Sequence, residues 1–161
     1  MRLEGKSIVV TGASAGMGQA IVTRFVEEGA YVVAVARRKE RLEELAAGLK
    51  DAPGKIAIYA GDVSDPATCE GMIDLAVKEF GRLDVLVNNA GIMDDNAAVG
   101  DMSDEMMEKM FKVNSFAPLY AMRKAVKVFL EQDDESGNII NVTSVGAVHQ
   151  TAGVAYCASK A

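Results

Sequence analysis

Ser7-Ile8-Val9-Val10-Thr11-Gly12-Ala13-Ser14-Ala15-Gly16-Met17-Gly18 is the stretch that decides the fold. Ser7 to Val10 is a short apolar run, the pattern of a buried strand, and Gly16 to Glu28 reads as a helix. Gly12, Gly16 and Gly18 stand at the junction. Glycines there permit a tight turn and a close backbone approach to a pyrophosphate, and the N–H groups of the new helix face the anion. The spacing is G-x-x-x-G-x-G rather than the G-x-G-x-x-G of other dinucleotide folds. Ser14 and Met17 lie within the turn and join its glycines as candidate contacts. Taken alone, the glycines would also serve an ordinary strand-to-helix connection.

The same alternation continues along the chain. Tyr31–Ala36, Lys55–Tyr59, Asp84–Val87 and Asn138–Val142 read as further strands. Helices are expected over Lys39–Leu49, Asp65–Phe80, about Ser103 to Glu131, and from about Val154. Strands that are apolar on both faces and separated by helices imply an α/β protein with a parallel sheet covered on both sides. Ser64 or Asp65 suits the cap of the third helix. Asp133-Asp134-Glu135 reads as a solvated turn before the fifth strand.

A chain of 161 residues is one domain by length. Its net charge of -6 argues against nucleic acid, which needs a basic footprint. No apolar run approaches the roughly 18 residues of a membrane span. The N-terminus carries no cleavage signature. Cys69 and Cys157 form no metal-type spacing, so free thiols and a cytoplasmic location are expected.

Chemistry concentrates towards the end of the chain. In Tyr156-Cys157-Ala158-Ser159-Lys160 the tyrosine and lysine are spaced to share one helix face. Tyrosine is a poor base at its ordinary pKa of about 10. A nearby ammonium stabilises phenolate and brings proton transfer within reach. A bare Y-x-x-x-K recurs by chance, but here it follows Ser144, at the carboxyl end of the fifth strand, where open parallel sheets hold their ligands. Pro118 cannot donate to the carbonyl of residue 114 and would kink the long helix there. Asn114 would then present a free carbonyl, or be simply polar and exposed at a kink.

With Asn88-Asn89-Ala90-Gly91, these segments resemble the short-chain dehydrogenase/reductase family in order and spacing, over the whole chain. The resemblance implies a Rossmann-like, doubly wound parallel sheet in three layers. It also implies hydride transfer between nicotinamide C4 and a ketone or secondary alcohol. By that resemblance Ser144 holds the substrate oxygen, Tyr156 is the acid/base, and Lys160 tunes Tyr156 and reaches the nicotinamide ribose. The Asn114 carbonyl would hold a relay water, and Asp62-Val63 would meet the adenine, although Gly61-Asp62 is also an ordinary turn. Asn89, Ala90 and Gly91 would pack beside the cofactor, with Asn88 bonding strand ends.

Ala36 stands where NAD-preferring members of the family carry aspartate, and Arg37 and Arg38 follow it. Guanidinium groups suit a 2′-phosphate by charge and fork geometry. NADP(H) is expected over NAD(H), with Arg37 the first candidate and Arg38 the second. The alternative is that the two arginines merely start a charged helix.

The apolar residues Val145, Ala147, Val148, Ala152 and Val154 lean towards an apolar carbonyl or alcohol such as a hydroxysteroid. A 3-oxoacyl thioester also lies in the family's range. His149, the only histidine, is either a pocket wall or a surface residue. Met102, Met106, Met107, Met110 and Met122 on or near the long helix suit core or a helix interface. With the resemblance, they imply a homo-oligomer, a dimer or tetramer. Family members continue past the helix bearing Tyr156 and Lys160, so residues 1–161 are expected to form an NAD(P)-binding Rossmann domain incomplete at its C-terminus. Strand five would be an exposed edge, and the last helix too short to stand alone. The rival reading is a non-catalytic fragment that binds cofactor and turns nothing over.

Overall fold

In the computed structural model, which describes residues 1–161, the apolar runs form five strands. They are β1 (Ser7–Thr11), β2 (Tyr31–Ala36), β3 (Lys55–Ala60), β4 (Val85–Asn88) and β5 (Asn138–Asn141). All pair in parallel, in the order β3-β2-β1-β4-β5. β1 is central, and each of its five residues is buried. Six helices connect and cover the sheet: α1 (Gly16–Glu27), α2 (Lys39–Gly48), α3 (Pro66–Phe80), α4 (Asp104–Phe111), α5 (Ala117–Glu131) and α6 (Val154–Lys160).

The two-residue period of the strands sorts side chains between two cores. Ile8, Val10, Val32 and Ala34 pack with Val22, Val26, Leu42 and Leu45 of α1 and α2. Val9, Val33, Val35 and Leu86 face the other way, onto Met72, Ile73 and Ala76 of α3 and Ala121 and Ala125 of α5. Three layers and a doubly wound parallel sheet follow, as the alternation implies. Cys69 is buried in the second core, and desolvation pushes its thiol up to about 11, which leaves it a small apolar residue there.

The cap of α3 is resolved in favour of Asp65, whose Oδ1 accepts the Ala67 N–H at 3.0 Å beside Pro66. The long helix expected from Ser103 to Glu131 is not one element. Ser103 caps α4, but residues Lys112–Phe116 form a π-helical turn before α5 begins. Pro118 explains the break. It has no N–H for an i→i−4 bond, and the register slips so that Ala117 donates to the Lys112 carbonyl instead. The proline then sits in the first turn of α5, where a missing N–H is harmless.

β5 is an edge strand, and Ile140 on it is 46% exposed. No helix is long and apolar enough to cross a membrane.

Candidate active site

The strand order reverses between β1 and β4, and a cleft opens at the carboxyl ends of the strands there. Its volume is about 730 Å³, and it is walled by the segments that follow β1, β2, β3 and β4 and by α4. Gly12, Ser14, Met17 and Gly18 form its floor. Gly18 must be glycine because a Cβ there would strike the Gly12 carbonyl. The first turn of α1 is thereby pressed against the end of β1, and its free N–H groups face the cleft with no side-chain cap.

Thr11 holds the two sides of the cleft together. Its buried Oγ1 accepts the N–H groups of Asn89 and Ala90 at 3.1 and 3.0 Å, and its carbonyl accepts Asn89 Nδ2 at 2.9 Å. Asn89, Ala90 and Gly91 are thus locked onto the turn they line the cleft with. Asn88 bonds strand ends, donating through Nδ2 to Asn141 Oδ1 at 2.9 Å.

Arg37 and Arg38 both line the cleft at the end of β2, and neither forms a salt bridge. Arg38 Nη2 donates to Ser14 Oγ at 3.3 Å, so the second candidate of the pair is the one that folds over the turn. Asp62 and Val63 line the cleft from the end of β3. Asp62 is also a turn residue, with Oδ1 accepting the Ser64 N–H at 2.9 Å. Desolvation opposes its ionisation, but the Ser64 hydrogen bonds and the nearby Arg37 and Lys109 outweigh it and hold the carboxyl below its ordinary range.

Asn114 sits within the π turn and is buried. Its Oδ1 accepts the Ile92 N–H at 2.9 Å. Its Nδ2 donates to the Ile92 carbonyl and to Ser159 Oγ, each at 2.9 Å. The expectation of an exposed kink residue is corrected: the amide side chain ties the β4–α4 loop to α6. Ser115 adds a second tie, donating to the Ser159 carbonyl at 2.8 Å.

Lys160 reaches the same point. Its Nζ donates to the Val142 carbonyl at 3.2 Å, and a Cβ on Gly91 would lie 3.2 Å from this nitrogen and 3.4 Å from Asn114 Oδ1. Burial pulls the Lys160 pKa below its ordinary value. Tyr156 and Ser144 converge on Gly146, where a Cβ would lie 3.1 Å from Tyr156 Cε1 and 3.3 Å from Ser144 Oγ. Ser144 also caps the short 3-10 turn Val145–Ala147 by accepting the Gly146 N–H at 3.0 Å. Ser144, Tyr156 and Lys160 do not line the cleft itself; Lys160 stands beside its Gly91, and Ser144 and Tyr156 meet at Gly146. His149 is exposed in the loop beyond.

Nothing in the residue pattern singles out the α4 wall of the cleft, which Glu105, Glu108 and Lys109 supply, with Lys112 of the π turn beside them. Asp94 is equally unmarked, yet its Oδ2 accepts the Tyr156 N–H at 2.8 Å. Both contacts join segments far apart in the chain, and no local spacing announces them.

A glycine-floored cleft at the switch point of a parallel sheet defines a nucleotide-binding α/β protein of the Rossmann-like class. The short chain dehydrogenase family model matches residues 6–161. The chain belongs to that family of oxidoreductases, whose members bind a nicotinamide cofactor and act on alcohols and ketones. It is 42% identical over 159 residues to 3beta-hydroxysteroid dehydrogenase 2 of Eggerthella lenta, covering 98% of this chain and 61% of that one. It is 37% identical over 162 residues to a 3-oxoacyl-[acyl-carrier-protein] reductase of Thermotoga maritima, covering 100% of this chain and 65% of that one. A metagenomic short-chain oxidoreductase solved in complex with NADP superposes with a TM-score of 0.91 at 33% identity, over 99% of this chain and 72% of that one. The chain thus spans about three fifths of the length of these two curated relatives, at 61% and 65%.

Proposed function

We propose that the protein is an NADP(H)-dependent oxidoreductase that interconverts a ketone and a secondary alcohol. The observation that carries this reading is a cleft lined by a glycine turn and by Arg37 and Arg38, neither in a salt bridge, with Lys160 at its Gly91 and with Ser144 and Tyr156 meeting at Gly146. The residues fit the cofactor. The free N–H groups of α1 suit a pyrophosphate, Arg37 and Arg38 suit a 2′-phosphate, and Lys160 has spent one of its three donors on Val142.

A bound nicotinamide supplies or accepts the hydride at its C4. In the reducing direction Tyr156 Oη donates a proton to the carbonyl oxygen while the carbonyl carbon gains the hydride. Ser144 Oγ donates a hydrogen bond to the same oxygen and fixes its position. Lys160, with its ammonium partly desolvated, stabilises the tyrosinate left behind. Asn114 holds Ile92 and Ser159 and so fixes Lys160 relative to the cleft. Arg37, Arg38, Asp62, Val63 and the Asn89-Ala90-Gly91 segment hold the cofactor's adenosine and ribose ends.

An apolar carbonyl such as a ketosteroid is the favoured substrate, because Val145, Val148 and Val154, in the stretch between Ser144 and Tyr156, are exposed. The hydroxysteroid relative supports that choice, and the 3-oxoacyl relative supports a 3-oxoacyl thioester as the alternative. A homo-oligomer is supported by Phe116, Leu119, Val126 and Leu130, which are exposed and apolar around α5.

A second reading, cofactor binding without turnover, draws on the position of Ser144, Tyr156 and Lys160 outside the walled part of the cleft, beside an edge strand. Cofactor consumption with a panel of ketones separates the two. Oxidation of NADPH supports the enzyme, whereas NADPH that binds and is never oxidised leaves the binding fragment.

A further inference from the structure

The helix that carries Tyr156 and Lys160 has no capping side chain of its own. α6 starts after Gly153, which offers no oxygen to the free N–H groups of the first turn. The acceptor comes from elsewhere. Asp94, in the loop after β4, takes the Tyr156 N–H on Oδ2 at 2.8 Å, from 62 positions away in sequence. Tyr156 is the third residue of α6, and its N–H is one that an N-cap side chain would serve. Asp94 fills that place in trans, and its charge suits the positive end of the helix.

Gly153 supplies an independent observation. Its backbone, φ −64 and ψ 164, is ordinary extended chain that alanine adopts freely. Yet a Cβ at this buried position would collide with both carboxylate oxygens of Asp94. Residue 153 is therefore small because the carboxylate is there, not because the turn requires it. The Asp94 carboxylate also takes the Asn96 N–H on Oδ1 at 3.4 Å, and Asn96 sits at φ 59, so the loop is bent around the group.

We propose that Asp94 is a positioning residue for Tyr156, and that Gly153 exists to admit it. The proposal rests on the dehydrogenase reading above. The pin at the N-terminus of α6 sets where the Tyr156 ring stands relative to Ser144 and the Gly91 end of the cleft. A displacement of about 1 Å at reacting groups costs on the order of a hundredfold in rate.

The test measures kcat, ketone KM and NADPH Kd for Asp94→Ala, Asp94→Asn, Gly153→Ala and the Asp94→Ala/Gly153→Ala pair in the full chain. Asp94→Ala should lower kcat by on the order of 10- to 100-fold with little change in NADPH Kd. Asp94→Asn keeps an amide oxygen that accepts the N–H and should return kcat to within about threefold of the parent. Gly153→Ala should fall as Asp94→Ala does, and the pair should be no slower than Asp94→Ala alone, since removing the carboxylate makes room for the methyl. Multiplying losses in the pair, an Asn variant as slow as the Ala variant, or a loss confined to NADPH Kd would each overturn the proposal. If the parent leaves NADPH unoxidised with every ketone of the panel, the dehydrogenase reading fails by itself, and hydrogen exchange at the Tyr156 amide decides the pin. Protection in the parent and Asp94→Asn with fast exchange in Asp94→Ala upholds it, and equal exchange in all three refutes it.

Discussion

Tyr156 has its N–H on Asp94 and its ring edge at Gly146, where Ser144 Oγ also lies, and its hydroxyl is the group proposed to move the proton. Replacing Tyr156 by Phe keeps the ring and removes that proton. Turnover should fall by about 10²- to 10⁴-fold, the usual worth of a positioned acid/base. NADPH binding, followed by fluorescence titration, should stay close to the parent value. At the other end of the cleft, each charge-assisted hydrogen bond to a phosphate is worth about 1.5–3 kcal/mol, so Arg37→Ala or Arg38→Ala should weaken NADPH by roughly 10- to 100-fold. NADH affinity should hardly move. Equal losses for the two cofactors would remove the 2′-phosphate assignment. These residues were legible because their spacing is local. The partners of Asn114 were not: Ile92 and Ser159 lie 22 and 45 positions away, and only the folded chain brings them to its amide.

Strands and helices were legible for a simple reason: apolar period and turn residues act within a few positions. The exception was the α4–α5 segment. There Pro118 marks the break, but the π turn that absorbs it, with Ala117 donating to the Lys112 carbonyl, carries no local signal in the residue pattern. The junction of β1 with the β4 loop was also invisible, because Thr11 makes it through its buried hydroxyl and its carbonyl, 78 and 79 positions from their partners. Thr11→Val keeps the shape and strands the Asn89 and Ala90 N–H groups. It should lower stability by about 1–3 kcal/mol, read from the midpoint of a urea transition at unchanged slope. NADPH affinity should drop with it, because Asn89 and Ala90 line the cleft. A variant as stable as the parent would show that the latch carries nothing.

Across the molecule, the ends of the strands opposite the cleft are tied by charge. Arg82 donates to Asp134 at 2.8 Å and reaches Asp84, while Lys6 meets Asp84 from β1's entry. The Arg82 hydrogen bond, with help from Ser136, holds the Asp134 carboxyl down from 3.8 to about 2. A carboxyl depressed in the folded state adds stability above its unfolded pKa and loses it as pH falls through the folded one. The Asp134 contribution should therefore persist at neutral pH and vanish between about pH 4 and 2. An NMR titration of Arg82→Ala should return Asp134 towards 3.8, and an unmoved carboxyl would refute the pairing.

Hydride transfer to a carbonyl held by Ser144 and Tyr156 is the central step of the proposed activity. The direct measurement is to supply NADPH deuterated at C4 with an apolar ketone and to weigh the alcohol formed. Deuterium on the carbinol carbon, absent when Tyr156 is replaced by Phe, is the expected result. Bound NADPH with no labelled alcohol from any ketone would contradict it.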